Sequence, residues 1–254
     1  MPKNIRQQAI LDLLNQHGEV KTAQLCKMLA VSSVTLRRDL ETLNQENLIV
    51  RTHGGAVLKS SEITEPPYAK RLMEHSSAKH SIAEKAISLL KNCESVFLDS
   101  GTTTYQIASL FAEDTAKVVI TNALNVALEL VRFPMLSVFL VGGELQSNSL
   151  STRGTDAENQ LRNFRVDVAF LGCNAISPTG CVLIGSTAEL GIKNQIRKIA
   201  RSVYLLADAS KFDDHSLVSY ASVTDFDGVI TDKGLSDQAK NTLTRLGARV
   251  LIAD

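Results

Sequence analysis

"SVTLRRDLETLNQENLIVRTHGGA", residues Ser33 to Ala56, decides the fold of the first sixty residues. At 100° per residue Leu36, Leu40 and Leu43 share one helix face and must pack inward. Val34, Thr35, Arg37, Arg38 and Thr42 spread over the outer faces. The β-rich run Leu48-Ile49-Val50 follows, Asn47 is suited to a left-handed turn before it, and Gly54-Gly55 is expected at a hairpin tip from which Ala56-Val57-Leu58 returns.

Upstream, Ile5, Ile10, Leu13 and Leu14 recur at helical spacing and His17-Gly18 ends that helix. Thr22 is expected to N-cap a second helix with an apolar stripe of Leu25, Met28 and Leu29. "AVSS" makes a tight connection, and Ser32 or Ser33 caps the third helix. Two helices joined by a short turn, followed by a small hairpin, form a winged helix-turn-helix. The third helix, Ser33–Gln45, presents a small apolar group, a hydroxyl and two guanidiniums, a set that suits the major groove. Candidate DNA contacts are Thr22, Ser33, Val34, Thr35, Arg37 and Arg38, with Arg51, His53 and Gly54 on a wing at Arg51–Gly55 that reaches phosphate. Asp39 sits at the edge of the apolar stripe and would repel phosphate if aimed outward. It is expected to orient an arginine of the same module.

Charge supports the division. The 254-residue chain has no formal net charge, yet residues 1–60 hold eight Lys/Arg against five Asp/Glu, and residues 61–254 hold nineteen against twenty-two. A basic head on a slightly acidic body points to a polyanionic partner. The cysteines at 26, 93, 173 and 181 form no C-x-x-C pair, so reduced, mostly buried thiols are expected, with no metal and no cofactor. The N-terminus lacks a signal-peptide core, and runs such as "LSVFLV" are too short to span a bilayer. A cytoplasmic protein with no membrane partner is the expectation.

Residues 59–77, which contain Pro66-Pro67, read as a linker between a head at 1–58 and a body at 78–254. The body alternates strand and helix. Strands are expected at Ser95–Leu98, Val118–Thr121, Ser137–Val141, Val166–Leu171, Val203–Ala207, Gly228–Thr231 and Arg249–Ile252, and helices at 79–91, 104–112, 124–132, 156–162, 187–200 and 236–246. The alternation implies an α/β body with a largely parallel sheet. Ligands sit at the carboxyl ends of such strands, where the polar and glycine-rich residues fall. Asp99, Ser100, Gly101, Thr102, Thr103 and Thr104 join a strand to a helix start and make an anion cradle, without the lysine of a nucleotide-binding P-loop. Asn122, then Gly142, Gly143 and Glu144, then Asp208 and Lys211 close three further strands. Arg153 is another anion partner to consider.

Specific motifs then match a known family. Arg6, Ile10 and Leu14, Gly18 and Val20, "L-x-V-S-x-x-T-L-R-R-D-L" and "R-T-H-G-G-A" resemble the DNA-binding signature of the DeoR family of bacterial sugar-operon regulators over residues 3–57. Asn47 stands where the family usually has glycine. "FLDSGTTT", "TN", "VGGE", "FLG", "ADASKF" and "TD" resemble that family's effector domain over roughly 76–252. The resemblance implies a body similar to the ribose-5-phosphate isomerase and glucosamine-6-phosphate deaminase folds. It also implies a phosphorylated sugar as effector, with its phosphate at Ser100–Thr104 and Lys211 nearby, while Cys173-Asn174 shape the sugar side. The expected function is a transcriptional regulator, a repressor of a carbohydrate-utilisation operon, that binds double-stranded operator DNA as a homo-oligomer and leaves it on binding the phosphosugar. Dimer or tetramer, and repression or activation, stay open. An isomerase or deaminase carrying a DNA-binding head is the alternative, but the acidic and glycine-rich lysine motifs of the isomerases are missing.

Overall fold

The protein is described from a computed structural model, which covers residues 3–17, 19–46, 48–52, 54–58, 68–212, 214 and 216–254. The chain divides into two compact units, 1–64 and 65–254.

In the first unit α1 (Lys3–His17), β1 (Glu19–Lys21), α2 (Thr22–Leu29), α3 (Ser33–Gln45), β2 (Ile49–Thr52) and β3 (Gly55–Leu58) follow one another. The apolar stripes converge as their spacing requires: Ile10, Leu14, Leu25, Leu36, Leu40 and Leu43 bury together with Val20 and Ile49. Ser32 caps α3, its Oγ accepting the Thr35 N–H at 3.2 Å. Thr22 is not a cap. It is the first residue of α2, and its N–H donates to the Gly54 carbonyl at 2.9 Å, which ties the helix start to the wing. The α2–α3 turn places Ala30 in the left-handed region, φ 52°, with the Val31 N–H bonded to Cys26 O at 3.1 Å. Asp39 is buried, and Arg6 grips it with two bonds, Nε to Oδ2 at 2.5 Å and Nη2 to Oδ1 at 3.1 Å. The arginine that Asp39 orients therefore belongs to α1.

The wing is a three-stranded antiparallel sheet in the order β1-β3-β2, with β1 an addition to the expected hairpin. Thr52 pairs with Gly55, so Gly55 is not at the tip. Gly55 is already in the ladder, where a Cβ would stand 2.6 Å from the Val20 carbonyl oxygen. Gly18, Asn47, His53 and the linker residues 59–67, with Pro66-Pro67, lie outside the described residues.

The second unit opens with α4 (Tyr68–Met73) and α5 (Ser76–Ser88), so 68–73 and 76–77, expected as linker, are helical. Next come β4 (Ser95–Leu98), α6 (Thr102–Ser109), β5 (Val118–Thr121), α7 (Leu124–Leu130) and β6 (Ser137–Leu140). A hairpin of β7 (Glu144–Gln146) and β8 (Ser151–Arg153) leads to α8 (Thr155–Leu161) and β9 (Val166–Gly172). β10 (Ala175–Ile176) and β11 (Cys181–Ile184) precede α9 (Leu190–Ile199), β12 (Ala200–Leu206), β13 (Val218–Ser222), β14 (Gly228–Asp232), α10 (Asp237–Arg245) and β15 (Val250–Ala253).

The seven expected strands make one parallel sheet, ordered β15-β14-β12-β9-β4-β5-β6. Side chains alternate between two cores, as the pleat demands. On β4, Val96 and Leu98 join the core under α5, α6 and α7, while Phe97 joins the core under α8, α9 and α10. On β9, Val168 and Phe170 face the first core, and Ala169 and Leu171 the second. β12 begins at Ala200, earlier than expected, because α9 runs into it without a loop. A small antiparallel sheet, β10-β11-β13, and the β7–β8 hairpin were not expected.

Leu40→Ala should destabilise the head by roughly 2–5 kcal/mol, since Leu40 is fully buried. Val34→Ala, at a side chain 63% exposed, should change stability by less than about 0.5 kcal/mol. Asp39→Asn should lower the urea midpoint of the head by leaving Arg6 without its carboxylate. Denaturation of the three variants followed by circular dichroism checks the order.

Candidate functional site

A cavity of about 130 Å³ opens at the carboxyl ends of β4, β9 and β12. Sheet order explains the position. β4 and β9 are neighbours, yet the chain leaves β4 toward β5 and leaves β9 toward β12, so the connecting loops part and a crevice forms.

From β4 come Ser100, Gly101, Thr102, Thr103 and Thr104. Gly101 has φ 145°, which strains any L side chain, and this bend turns the chain into α6. Thr104 Oγ1 donates back to Gly101 O at 3.0 Å. The N–H groups of the first turn of α6 have no partner within the helix. From β9 come Gly172, Cys173 and Asn174, and from β12 come Asp208 and Lys211. Asp208 caps the short 3-10 turn Ala209–Lys211 through Oδ1, which accepts the Ser210 N–H at 3.0 Å, and so aims Lys211.

Asp99 does not line the cavity but braces it. Its Oδ2 accepts the Gly172 N–H at 3.0 Å and bonds the ammonium of Lys193, which also donates to Gly172 O at 3.0 Å. Both charges are buried. Burial alone pulls the Lys193 ammonium down, but Asp99 and then Glu189 outweigh it, and its pKa stands above the ordinary 10.5. Lys193 is thus a fixed cation in the cavity floor. Lys79, from α5, is buried as well, and its Nζ donates to the backbone carbonyls of Arg71 and of Glu74, the latter at 2.6 Å. Burial lowers its pKa, and Asp208 partly counters the shift. Burial pushes the Cys173 thiol up to about 12, so it stays protonated.

Five further candidates lie elsewhere. Asn122 follows β5, and its Nδ2 donates to Thr152 O at 3.2 Å. Gly142, Gly143 and Glu144 follow β6, and Arg153 pairs with Glu144 at 3.3 Å across the β7–β8 hairpin. None of the five lines the cavity. β5 and β6 lie one and two strands beyond β4, away from the crevice, a strand order that linear sequence does not display.

The sequence reading missed Arg71, Lys79 and Lys193, all of which line the cavity. The signal was present for the lysines. Lys79 stands three residues before Ile82 and four before Ala83, and Lys193 three before Ile196, so each interrupts the buried stripe of its own helix.

On the first unit, α3 carries Ser33, Val34, Arg37 and Arg38 exposed, with Thr35 half-buried. Neither Arg37 nor Arg38 forms an ion pair among the described residues. Thr35 Oγ1 lies 2.9 Å from Ser32 Oγ. Arg51 stands 3.9 Å from Glu41, a long and exposed contact that leaves the guanidinium available. Thr22 and Gly54 are joined through their backbones, as described above.

Known proteins match both units. The family model for the DeoR-like helix-turn-helix domain matches residues 6–62, and that for the DeoR C terminal sensor domain matches 74–233. A putative aga operon transcriptional repressor of Escherichia coli O157:H7 is 31% identical over 97% of this chain and 93% of its own. The HTH-type transcriptional repressor GlcR of Bacillus subtilis (strain 168) is 34% identical over 97% and 95%, and the glycerol-3-phosphate regulon repressor of Escherichia coli (strain K12) is 34% identical over 91% and 92%. Among solved structures, ribose 5-phosphate isomerase a from Methanocaldococcus jannaschii aligns with TM-score 0.41 and 16% identity over 55% of each chain. No helix among the described residues is long and apolar enough to cross a membrane.

Asp99→Asn should destabilise the second unit by roughly 3–5 kcal/mol, because it strands the buried Lys193 ammonium. Asp99→Leu combined with Lys193→Met should recover part of that loss. A raised lysine pKa contributes stability fully below the ordinary 10.5 and loses it as pH rises through the folded value, so the deficit of Asp99→Asn should narrow only above that point. Urea denaturation at neutral and alkaline pH checks both statements.

Proposed function

The chain belongs to the DeoR family of transcriptional regulators, and from that membership we propose that it represses a carbohydrate-utilisation operon and leaves the operator when a phosphorylated sugar enters the cavity of its α/β unit. The observation that carries the effector half is the cavity itself. Arg71, Lys79, Lys193 and Lys211 converge on the loop Ser100–Thr104, where first-turn amides and hydroxyls add donors. Cations around a helix start suit a phosphoryl group. Asn174, Ser149 and Glu189 offer neutral and acidic groups to sugar hydroxyls.

The DNA half rests on α3. Its free guanidiniums and exposed Val34 face outward from a core complete without them. Arg37 and Arg38 take guanine edges or phosphates, Val34 meets a thymine methyl, and Thr35, Ser33 and Thr22 with the wing residues Arg51, His53 and Gly54 hold the backbone. A homo-oligomer places two such helices on successive major grooves. The phosphosugar acts by binding one arrangement of the assembly more tightly than another, and about 1.4 kcal/mol of such coupling lowers operator affinity tenfold.

Arg37→Ala and Arg38→Ala should each weaken operator binding by roughly tenfold to a hundredfold, about 1–3 kcal/mol, with unchanged melting temperature. The logarithm of affinity should fall linearly with the logarithm of salt concentration, with a slope of about −0.9 for each phosphate contacted. Fluorescence anisotropy on operator DNA measures both, and full affinity in both variants would remove α3 from the groove.

For the effector, a thermal-shift screen over sugar phosphates should find one that raises the melting temperature. At a hundred times its Kd such a ligand adds about 2.7 kcal/mol. Gly101→Val, strained at φ 145°, should lose the shift and stay on DNA in the presence of the ligand. A Gly101→Val chain that the ligand still releases would place the effector site elsewhere.

A further inference from the structure

The cavity has one wall unlike the others. Residues 68–75 form α4 and the turn after it, and none of the α4 side chains is buried. α5, by contrast, buries Lys79, Ile82, Ala83 and Ala86. A short helix with no buried side chain depends on a few polar and ring contacts for its position. Tyr68 accepts a bond from Asn125 Nδ2 at 2.6 Å and packs edge-on against Tyr105, and Arg71 donates to Asn148 O at 3.3 Å. A further tie is Lys79, whose ammonium reaches back from the first turn of α5 to the carbonyls of Arg71 and Glu74. Those carbonyls lie at the C-terminal end of α4, where carbonyls lack helical partners and a cation is favoured. Between the two helices His75 stands at φ 52°, ψ 34°, a left-handed bend uncommon for a residue other than glycine.

Lys79 also faces the cavity, beside Lys211 and Asp208. An ammonium has three N–H donors, and two are spent on the carbonyls of the strap. We propose that Lys79 couples occupancy of the cavity to the position of α4: it holds the C-terminal carbonyls of the strap while its third N–H takes a phosphoryl oxygen of the bound sugar phosphate, so that the ligand fastens residues 68–75. This rests on the phosphosugar reading above and adds its route of transmission. Burial without a full counter-charge disfavours the Lys79 ammonium, and an arriving phosphoryl group supplies that charge. α4 begins at residue 68, and β3 of the head ends at Leu58. Whatever fastens α4 therefore fixes the first described residues of the α/β unit.

Amide hydrogen exchange on the full chain, with inorganic phosphate and with ribose 5-phosphate as probes, tests the coupling. Exchange in the unmodified chain should slow at least tenfold at residues 101–105 and also at 69–79. Phosphate at a concentration that protects 101–105 should protect 69–79 as well, since the phosphoryl group is what Lys79 takes. Lys79→Met should need a higher ligand concentration to protect 101–105, leave 69–79 unprotected even where 101–105 is saturated, and stay on operator DNA in the presence of ribose 5-phosphate, whereas Lys79→Arg should behave as the parent. Protection of 101–105 without 69–79 in the unmodified chain overturns the coupling, and that measurement needs no variant to fold. So does a Lys79→Met chain whose strap is still protected and whose operator is still released. Protection of 69–79 by the sugar phosphate alone, with 101–105 protected by both probes, overturns the phosphoryl contact. If both probes fail, the experiment is repeated with the sugar phosphate found by the thermal-shift screen: its protecting 101–105 alone overturns the coupling, and failure of every sugar phosphate in the screen removes the phosphosugar reading itself, and the coupling with it.

Discussion

A parallel sheet must return each strand to the same end by a right-handed crossover, and one break in strand order decides where this protein can hold a ligand. From β4 the chain builds outward to β5 and β6 with α6 and α7 on one face. It then crosses to β9 on the opposite side of β4 and builds outward again through β12, β14 and β15, with α8, α9 and α10 on the other face. The loops after β4 and β9 leave in opposite directions, and the space between them is the cavity. The bend at Gly101, the amides that start α6 and the aim of Lys211 all matter because they fall at that break.

Holding cations there requires counter-charge that does not itself fill the space. Asp99 meets the requirement from behind. It lies at the end of β4, joins the Gly172 N–H at the end of β9, and pairs with Lys193 from α9. Three elements are thereby locked to one carboxylate. Pairs of this kind are weak contributors to net stability but costly to break, which makes them better at fixing geometry than at holding a fold together. In the head, Arg6 and Asp39 use the same device at a smaller scale, joining α1 to the helix that bears the exposed arginines.

Much of the fold was legible because period and punctuation are local. Leu36, Leu40 and Leu43 reveal their helix without any knowledge of the rest, and "SVFL" and "VVIT" are β-rich runs ended by polar residues. What stayed hidden depended on distance. Asn122, Gly142 and Glu144 resemble Ser100 and Lys211 in sequence context, but strand order puts them one and two strands out from β4, away from the break. Lys193 interrupts the buried stripe of α9, but the carboxylate that holds it, Asp99, lies 94 residues away. Thr22 read as a cap because nothing in the sequence shows that its N–H is claimed by Gly54, thirty-odd residues away. The strands of the small antiparallel sheet are two to five residues long, too short for alternation to register.

Clustered ammonium and guanidinium groups attract any compact dianion, since long-range attraction is blind to what the anion is attached to. On the proposed reading, free orthophosphate would compete for the Ser100–Thr104 loop, and identity would have to be read by uncharged neighbours such as Asn174 and Ser149. Those two positions, more than the basic residues, are where a regulator on this scaffold would change its mind about which sugar to answer.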